Sequence, residues 1–166
     1  MTVERKVFKP ELPDRLKKIK RRHDISGEII VNKKRKTYRI NLKDDKIDCV
    51  VATAKIEWEN IPFGHLYITQ LKLTNPEKYS GKGYGGILIR EINKFILENN
   101  QVGVLENNAF SSKDIYDIVT HEKIAIRDFY SKYGWEYVDR WSNCMMFNGN
   151  QNLKAQYAEY LKGSYN

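Results

Sequence analysis

The chain has 166 residues, of which 41% are hydrophobic and 30% are charged, a composition typical of one globular domain with a substantial core. It contains no apolar run of the roughly 18 residues that a membrane span needs, and its polar start is unlike a signal peptide, so we expect a cytoplasmic protein outside the membrane. Cys49 and Cys144 form no Cys-x-x-Cys pair and the three histidines have no ligand spacing, which favours two buried free thiols and disfavours a metal site.

The net charge of +8 is unevenly distributed along the chain. Residues 1–46 contain 16 Lys and Arg against 7 Asp and Glu, whereas residues 47–166 contain 13 against 14. This excess is compatible either with a solvated helix and hairpin turn or with a surface that binds nucleic acid or an acidic partner. Such a surface would use Lys17, Lys18, Lys20, Arg21, Arg22, Lys33, Lys34, Arg35 and Lys36.

The hydrophobic spacing of the N-terminal half predicts one helix followed by four strands. The helix covers Pro10–Arg22, and the strands cover Glu28–Asn32, Thr37–Leu42, Ile47–Trp58 and His65–Leu73. In the last of these strands the apolar alternation slips by one residue midway. A slip of this kind is typical of a β-bulge.

The C-terminal half begins with the clearest helix and continues with alternating short elements. We predict helices over Tyr84–Asn99, Ser111–Val119, Glu122–Tyr133 and Gln151–Lys162, and strands over Gln101–Glu106, Trp135–Asp139 and Trp141–Phe147. The strand after the first helix is of the parallel, crossover type. This order predicts a single α+β domain, with a mixed, mostly antiparallel sheet of about six to seven strands flanked by helices. Residues 1–46 form its basic N-terminal portion and residues 150–166 its C-terminal helix and tail.

A glycine-rich turn, Gly81-Lys82-Gly83-Tyr84-Gly85-Gly86, precedes the crossover helix. Its spacing fits a dinucleotide-binding turn, and Glu106 lies about 20 residues further on, where a ribose-binding acid belongs. Against that interpretation, seven polar residues separate the preceding strand from the turn, and only 60 residues follow Glu106. The chain also lacks the Gly-Lys-Ser/Thr of a P-loop and the D-F-G of a kinase. The turn therefore either permits close packing or holds an anion such as a pyrophosphate on backbone N–H groups.

Two motifs in a fixed order carry a family resemblance. The first is Ser80-Gly81-Lys82-Gly83-Tyr84-Gly85, and the second is Phe129-Tyr130-Ser131-Lys132-Tyr133-Gly134-Trp135. The region that contains both motifs, about residues 65–147, resembles the GNAT superfamily of acyl-CoA N-acyltransferases. In that family the first motif reads [Arg/Gln]-x-x-Gly-x-[Gly/Ala]. Ser80 departs from the usual Arg or Gln, and Ile126 stands where the family often has alanine.

The resemblance implies a GNAT-like fold in which a splayed pair of strands binds acetyl-CoA as co-substrate. The backbone of the bulged strand would pair with the pantetheine arm, and the glycine turn would hold the pyrophosphate. A primary amine would then attack the thioester directly. The residues that the resemblance implies for acetyl-CoA binding are Leu71, Lys72, Leu73, Ser80, Gly81, Lys82, Gly83, Tyr84, Gly85, Gly86 and Asn108.

The resemblance also implies that Tyr130 protonates the leaving thiolate, because a phenol with a pKa of about 10 is protonated at neutral pH. The general base is left open between Glu106, which we place first, Glu57, Glu59 and an ordered water molecule. The acceptor amine and the choice between monomer and homodimer are also open. The alternatives to an acetyltransferase are a non-catalytic acyl-CoA sensor and a nucleic-acid- or ribosome-associated binding module on the same fold.

Overall fold

The computed structural model describes residues 3–106, 114–116, 123–139 and 142–164, without the side chains of Arg21, 114–116, 123–128 and Ser164. Its first element is strand β1 (Val3–Phe8), which lies at one edge of the sheet and pairs with the next strand in the chain. The sequence analysis did not predict this strand. Five of its six residues are exposed, so the strand lacks the alternation of apolar and polar residues that marks a half-buried strand.

The predicted helix over Pro10–Arg22 is wrong for most of its length. Helix α1 covers only Asp14–Lys17, and a 3₁₀ helix covers Lys20–Asp24. Pro13 lies immediately before α1. Proline disfavours helical backbone in the residue that precedes it, so the helix begins after Pro13 and not earlier. Ile19 then adopts an extended conformation, with φ −94° and ψ 105°, and separates the two short helices.

In the described residues, nine further strands and four further helices follow. The strands are β2 (Ile25–Asn32), β3 (Thr37–Asp44), β4 (Cys49–Glu59), β5 (His65–Leu73), β6 (Gly103–Glu106), β7 (Asp114–Tyr116), β8 (Lys123–Ala125), β9 (Glu136–Tyr137) and β10 (Cys144–Phe147). The helices are α2 (Pro76–Tyr79), α3 (Tyr84–Glu98), α4 (Ile126–Lys132) and α5 (Gln151–Ser164). The fold is therefore α+β, as predicted.

Eight strands form one open sheet in the order β1-β2-β3-β4-β5-β6-β10-β9. Only β5 and β6 are parallel; the other neighbours in this sheet are antiparallel. The parallel pair is joined by α3, which confirms the predicted crossover. The described sheet has more strands than the six to seven expected, because β1 had not been predicted.

Strands β7 and β8 form a separate antiparallel hairpin. The predicted helix over Ser111–Val119 is wrong at 114–116, which are strand; its remaining residues lie outside the described ranges. The predicted helix over Glu122–Tyr133 begins only at Ile126, because residues 123–125 belong to β8; Glu122 lies outside the described ranges. Ile115 pairs with Ile124 in this hairpin, and such β-branched residues favour strands over helices.

The two faces of the large sheet carry different cores. Leu105 belongs to the core that the sheet shares with α3, whereas Val104 belongs to a smaller core shared with α5. Successive residues of a strand point to opposite faces, so this one pair assigns the faces of β6. The side chains of α3 that enter the first core include Leu88, Ile92, Phe95 and Ile96, the stripe expected from their spacing.

The two cysteines differ in their surroundings. Both are free, but only Cys144 is buried; Cys49 is exposed at the start of β4, so the prediction of burial is wrong for Cys49. Its position at the end of a strand, beside a charged turn, leaves its side chain outside both cores. Within the described residues, no helix combines the length and the apolar character needed to cross a membrane.

Candidate functional site

The site begins where β5 and β6 stop pairing. Their parallel pairing covers three residue pairs, from Leu66–Gly103 to Ile68–Leu105. Strand β5 continues for five residues to Leu73, and in the described part of the chain no strand pairs with this continuation on the β6 side. The backbone of residues 69–73 therefore presents an edge to which an extended ligand can hydrogen-bond.

The predicted bulge in β5 is confirmed and lies at this point. Gln70 pairs with Lys55, and Ile68 pairs with Ile56, so Thr69 is the extra residue on the β5 side. Bulges bend a strand and end regular pairing. Beyond the bulge, Leu71 and Leu73 pack against the α3-side core and Lys72 is exposed.

The glycine turn follows β5 by way of the short helix α2. Asn75 caps α2, because its side-chain oxygen accepts a hydrogen bond from the Lys78 N–H at 3.2 Å. Ser80 ends α2: its hydroxyl and its N–H both donate to the carbonyl oxygen of Pro76. The hydroxyl of Ser80 is thus engaged within the protein. This position contributes no cation to the turn.

Two glycines of the turn are required by backbone conformation. Gly81 has φ 75° and Gly83 has φ 85°, both in the left-handed region that other residues rarely adopt. Gly83 is the residue before the first turn of α3, and it has no side chain with which to cap that turn. The first N–H groups of a helix have no acceptor within the helix, so they are available to an anion.

The next two glycines differ in what surrounds them. A Cβ on Gly86 would overlap the hydroxyl of Tyr133, whereas a Cβ on Gly85 would meet, among the described residues, only the Phe129 ring, at 3.6 Å. Both aromatic residues belong to the second motif. Gly86 is therefore needed for the packing of α4 against α3, and Gly85 leaves space beside the helix terminus.

An arginine from the N-terminal basic segment reaches the turn. The Nε of Arg22 donates to the carbonyl oxygen of Lys82 at 2.8 Å, and its guanidinium lies 5.1 Å from the centroid of the Tyr84 ring. Arg22 is only 8% exposed. It therefore cannot serve as one of the exposed cations expected to contact nucleic acid.

The predicted basic surface is divided into two parts. Residues 33–36 form the turn between β2 and β3, at the opposite end of β2 from residues 17–22. Eight residues of strand span roughly 25 Å. Within the turn, Lys33 pairs with Glu4 at 2.7 Å, and Lys36 lies 4.2 Å from the Trp58 ring centroid. The two groups of cations do not form one continuous patch.

Tyr130, the candidate acid, is fully buried in the α3-side core, with its ring 5.2 Å from that of Phe129. Burial raises the pKa of its phenol far above the usual value, so the hydroxyl is protonated at neutral pH. Helix α4, which carries it, ends at a turn where Gly134 has φ 88°. The left-handed conformation explains the glycine of the second motif.

Glu106, the candidate base, is the last residue of β6 and lies on the other face of the sheet. Burial, together with the charge and hydrogen bonding of Glu106, raises the pKa of the Cys144 thiol to about 12. Burial is also the main cause of the raised pKa of Tyr67, to which Glu106 again adds. Glu106 thus lies beside two groups that keep their protons at neutral pH.

The structure brings together some of the predicted residues but not all. Residues 71–73 and the turn at 80–86 are joined through α2 at the carboxyl end of β5. Tyr130 and Glu106 are not brought together, because they belong to different faces of the sheet. Glu57 and Glu59 are exposed on β4, and Asn108 lies outside the described ranges.

Two residues near the site were missed by sequence reasoning. The sequence contains a signal for Tyr67: it lies two residues after His65 and before the bulge, so both side chains lie on the same face of β5. Arg22 had no such signal, since its contact with Lys82 joins positions 60 residues apart. Within the described ranges, no three His, Cys, Asp or Glu side chains lie close enough together to hold a metal ion.

Comparison with models of known protein families gives no match for this chain, and no curated protein matches it significantly. The function is therefore inferred from the geometry of the turn and of the strands beside it.

Proposed function

We propose that the protein is an acetyl-CoA-dependent N-acetyltransferase. The observation that carries the proposal is the position of the glycine turn relative to β5. The strand edge at 69–73, which has no described partner on the β6 side, leads through α2 into a turn at the N-terminus of a 15-residue helix. An extended amide chain that ends in a pyrophosphate matches these two features in the same order.

The roles of the residues follow from this arrangement. Backbone groups of Leu71 and Leu73 would pair with the pantetheine amides, and the N–H groups from Gly81 to Gly86 would face the pyrophosphate. The positive end of the α3 dipole favours the phosphate charge. Gly85 leaves the space for this approach, because it carries no Cβ beside the helix terminus.

The reaction requires two proton transfers. The acceptor amine loses a proton and its nitrogen attacks the thioester carbonyl, so that a C–N bond forms and the C–S bond breaks. The released thiolate takes a proton, for which we assign Tyr130, since its buried phenol is protonated at neutral pH; the phenolate then regains a proton from water. We assign uptake of the amine proton to an ordered water molecule, because Glu106 lies on the other face of the sheet from Tyr130, beside Tyr67 and Cys144, which keep their own protons.

Release of free CoA from acetyl-CoA in the presence of a panel of amines tests the proposal. We expect turnover with at least one class among protein N-termini, lysines, polyamines, aminoglycosides and aminoacyl-tRNA. Tyr130→Phe keeps the ring that packs in the core and removes only the hydroxyl, so it should lower kcat about 100-fold. Binding of acetyl-CoA without turnover of any amine would instead indicate an acyl-CoA sensor.

A further inference from the structure

We propose that Arg22 is a positioning residue for the glycine turn: it orients the Lys82–Gly83 peptide so that the Gly83 N–H faces a bound phosphate. This inference rests on the proposed acyl-CoA site. It assigns to the basic N-terminal segment a role in that site.

The first support is the geometry of one peptide unit. The Nε of Arg22 donates to the Lys82 carbonyl oxygen at 2.8 Å. In a planar trans peptide the carbonyl and the following N–H point in opposite directions. A hydrogen bond that holds the Lys82 carbonyl toward Arg22 therefore directs the Gly83 N–H away from Arg22. Gly83 adopts φ 85°, a left-handed value that glycine reaches without steric cost, so its own sterics do not fix the orientation of this peptide.

The second support is the charge of Arg22 itself. Arg22 is 8% exposed, and its guanidinium lies 5.1 Å from the ring centroid of Tyr84, the first residue of α3. In the described part of the chain no carboxylate pairs with it, although a buried cation is costly without an anion. This cation lies at the helix terminus that is already positive. Both features favour a bound anion at the turn.

The third support concerns Ser80. Its hydroxyl donates to Pro76 and so turns back onto α2. The hydroxyl of Ser80, the residue before the turn, is therefore directed to α2 rather than to the turn. Arg22 supplies a contact to the turn from a segment 60 positions earlier in the chain.

The experiment compares two thioesters in binding assays: acetyl-CoA, and acetyl-pantetheine, which lacks the pyrophosphate. Arg22→Gln should weaken acetyl-CoA binding about 30-fold, a loss typical of a hydrogen bond to a charged group, and change acetyl-pantetheine binding less than about twofold. Arg22→Lys keeps the charge and one donor, and should lose only about threefold to tenfold. The control is Lys20→Gln, which removes the same charge from a nearby exposed residue. This variant should bind acetyl-CoA nearly as well as the wild type does.

A second measurement requires no ligand. In the free protein, the Gly83 amide resonance should move in Arg22→Gln and stay in place in Lys20→Gln. If Arg22→Gln does not fold, Arg22→Lys is used for both comparisons.

Unchanged acetyl-CoA binding in the Arg22 variants, or equal losses for both thioesters, would overturn the role of Arg22. Failure of the wild type to bind acetyl-CoA would contradict the proposed function, whereas an unmoved Gly83 resonance would contradict only this inference.

Discussion

The Oδ1 atom of Asn93 accepts a hydrogen bond from the indole Nε1 of Trp135 at 2.8 Å, and its Nδ2 donates to the carbonyl oxygen of Tyr133 at 2.9 Å. One side chain of α3 thereby holds the end of α4 and the residue that follows Gly134. Since α4 carries Tyr130, this bridge fixes the candidate acid relative to the helix that begins at the glycine turn.

Replacing Asn93 by Leu should destabilise the protein by about 2 kcal/mol, because a buried indole N–H and a backbone carbonyl lose their partner. Unfolding in urea measures the effect. Lys94→Leu, at the exposed neighbouring position, is the control and should change the free energy of unfolding by less than about 0.5 kcal/mol. In the Trp135→Phe background the cost of Asn93→Leu should be smaller; an equal cost in both backgrounds would show that the indole bond contributes nothing.

Gly86→Ala should destabilise the protein by about 1 kcal/mol, although alanine is the better helix former. The new methyl group would overlap the Tyr133 hydroxyl, and this overpacking outweighs the gain in helix propensity. Tyr133→Phe removes the overlapping oxygen, so Gly86→Ala should be nearly neutral in that background. Thermal unfolding of the two single variants and the double variant decides between these outcomes. A similar loss with and without the hydroxyl would refute the packing explanation.

His65 should make the free energy of unfolding depend on pH below about 6.5. The ring is 1% exposed, and burial lowers its pKa below the usual 6.5, although its Nδ1 donates to the Phe63 carbonyl at 2.8 Å. As the pH falls below 6.5, the unfolded chain binds a proton that the folded protein does not, so stability decreases. Urea unfolding at pH 7.5 and pH 5 should show a smaller decrease for His65→Gln than for the wild type.

The control for this pH experiment is His23→Gln, which removes an exposed imidazole by the same substitution; the decrease between the two pH values should be smaller for His65→Gln than for His23→Gln. If His65→Gln and the wild type lose the same stability between the two pH values, the burial of His65 does not govern the dependence.

Much of the fold could be predicted where one residue pattern decides the structure. The stripe of Leu88, Ile92, Phe95 and Ile96 predicted α3 within one residue of its observed end, and the slipped alternation in β5 predicted the bulge. Both patterns are local and strongly periodic. The positive φ of Gly81, Gly83 and Gly134 is a conformation that glycine adopts readily.

The remainder depends on contacts between distant parts of the chain. Strand β1 is exposed along its length and is held by pairing with β2, so its own residues carry little periodic signal. The helix expected from Pro10 is interrupted at Ile19. Arg22, which follows this break, is buried against Lys82 and Tyr84. The run of charged residues, which is typical of a solvated surface, therefore contains one interior residue.

The proposed acyl-CoA site is tested most directly by calorimetric titration of acetyl-CoA into the wild type, Gly85→Ala and Gly85→Glu. Among the described residues, a Cβ at Gly85 would meet only Phe129, at 3.6 Å, and an acidic residue in the first turn of a helix is stabilising, so both variants should fold. We expect one-to-one binding to the wild type, a loss of at most about tenfold for Gly85→Ala, and no measurable binding for Gly85→Glu, whose carboxylate would repel the pyrophosphate. Absence of binding to the wild type at millimolar acetyl-CoA, or equal binding to Gly85→Glu, would contradict the proposed site.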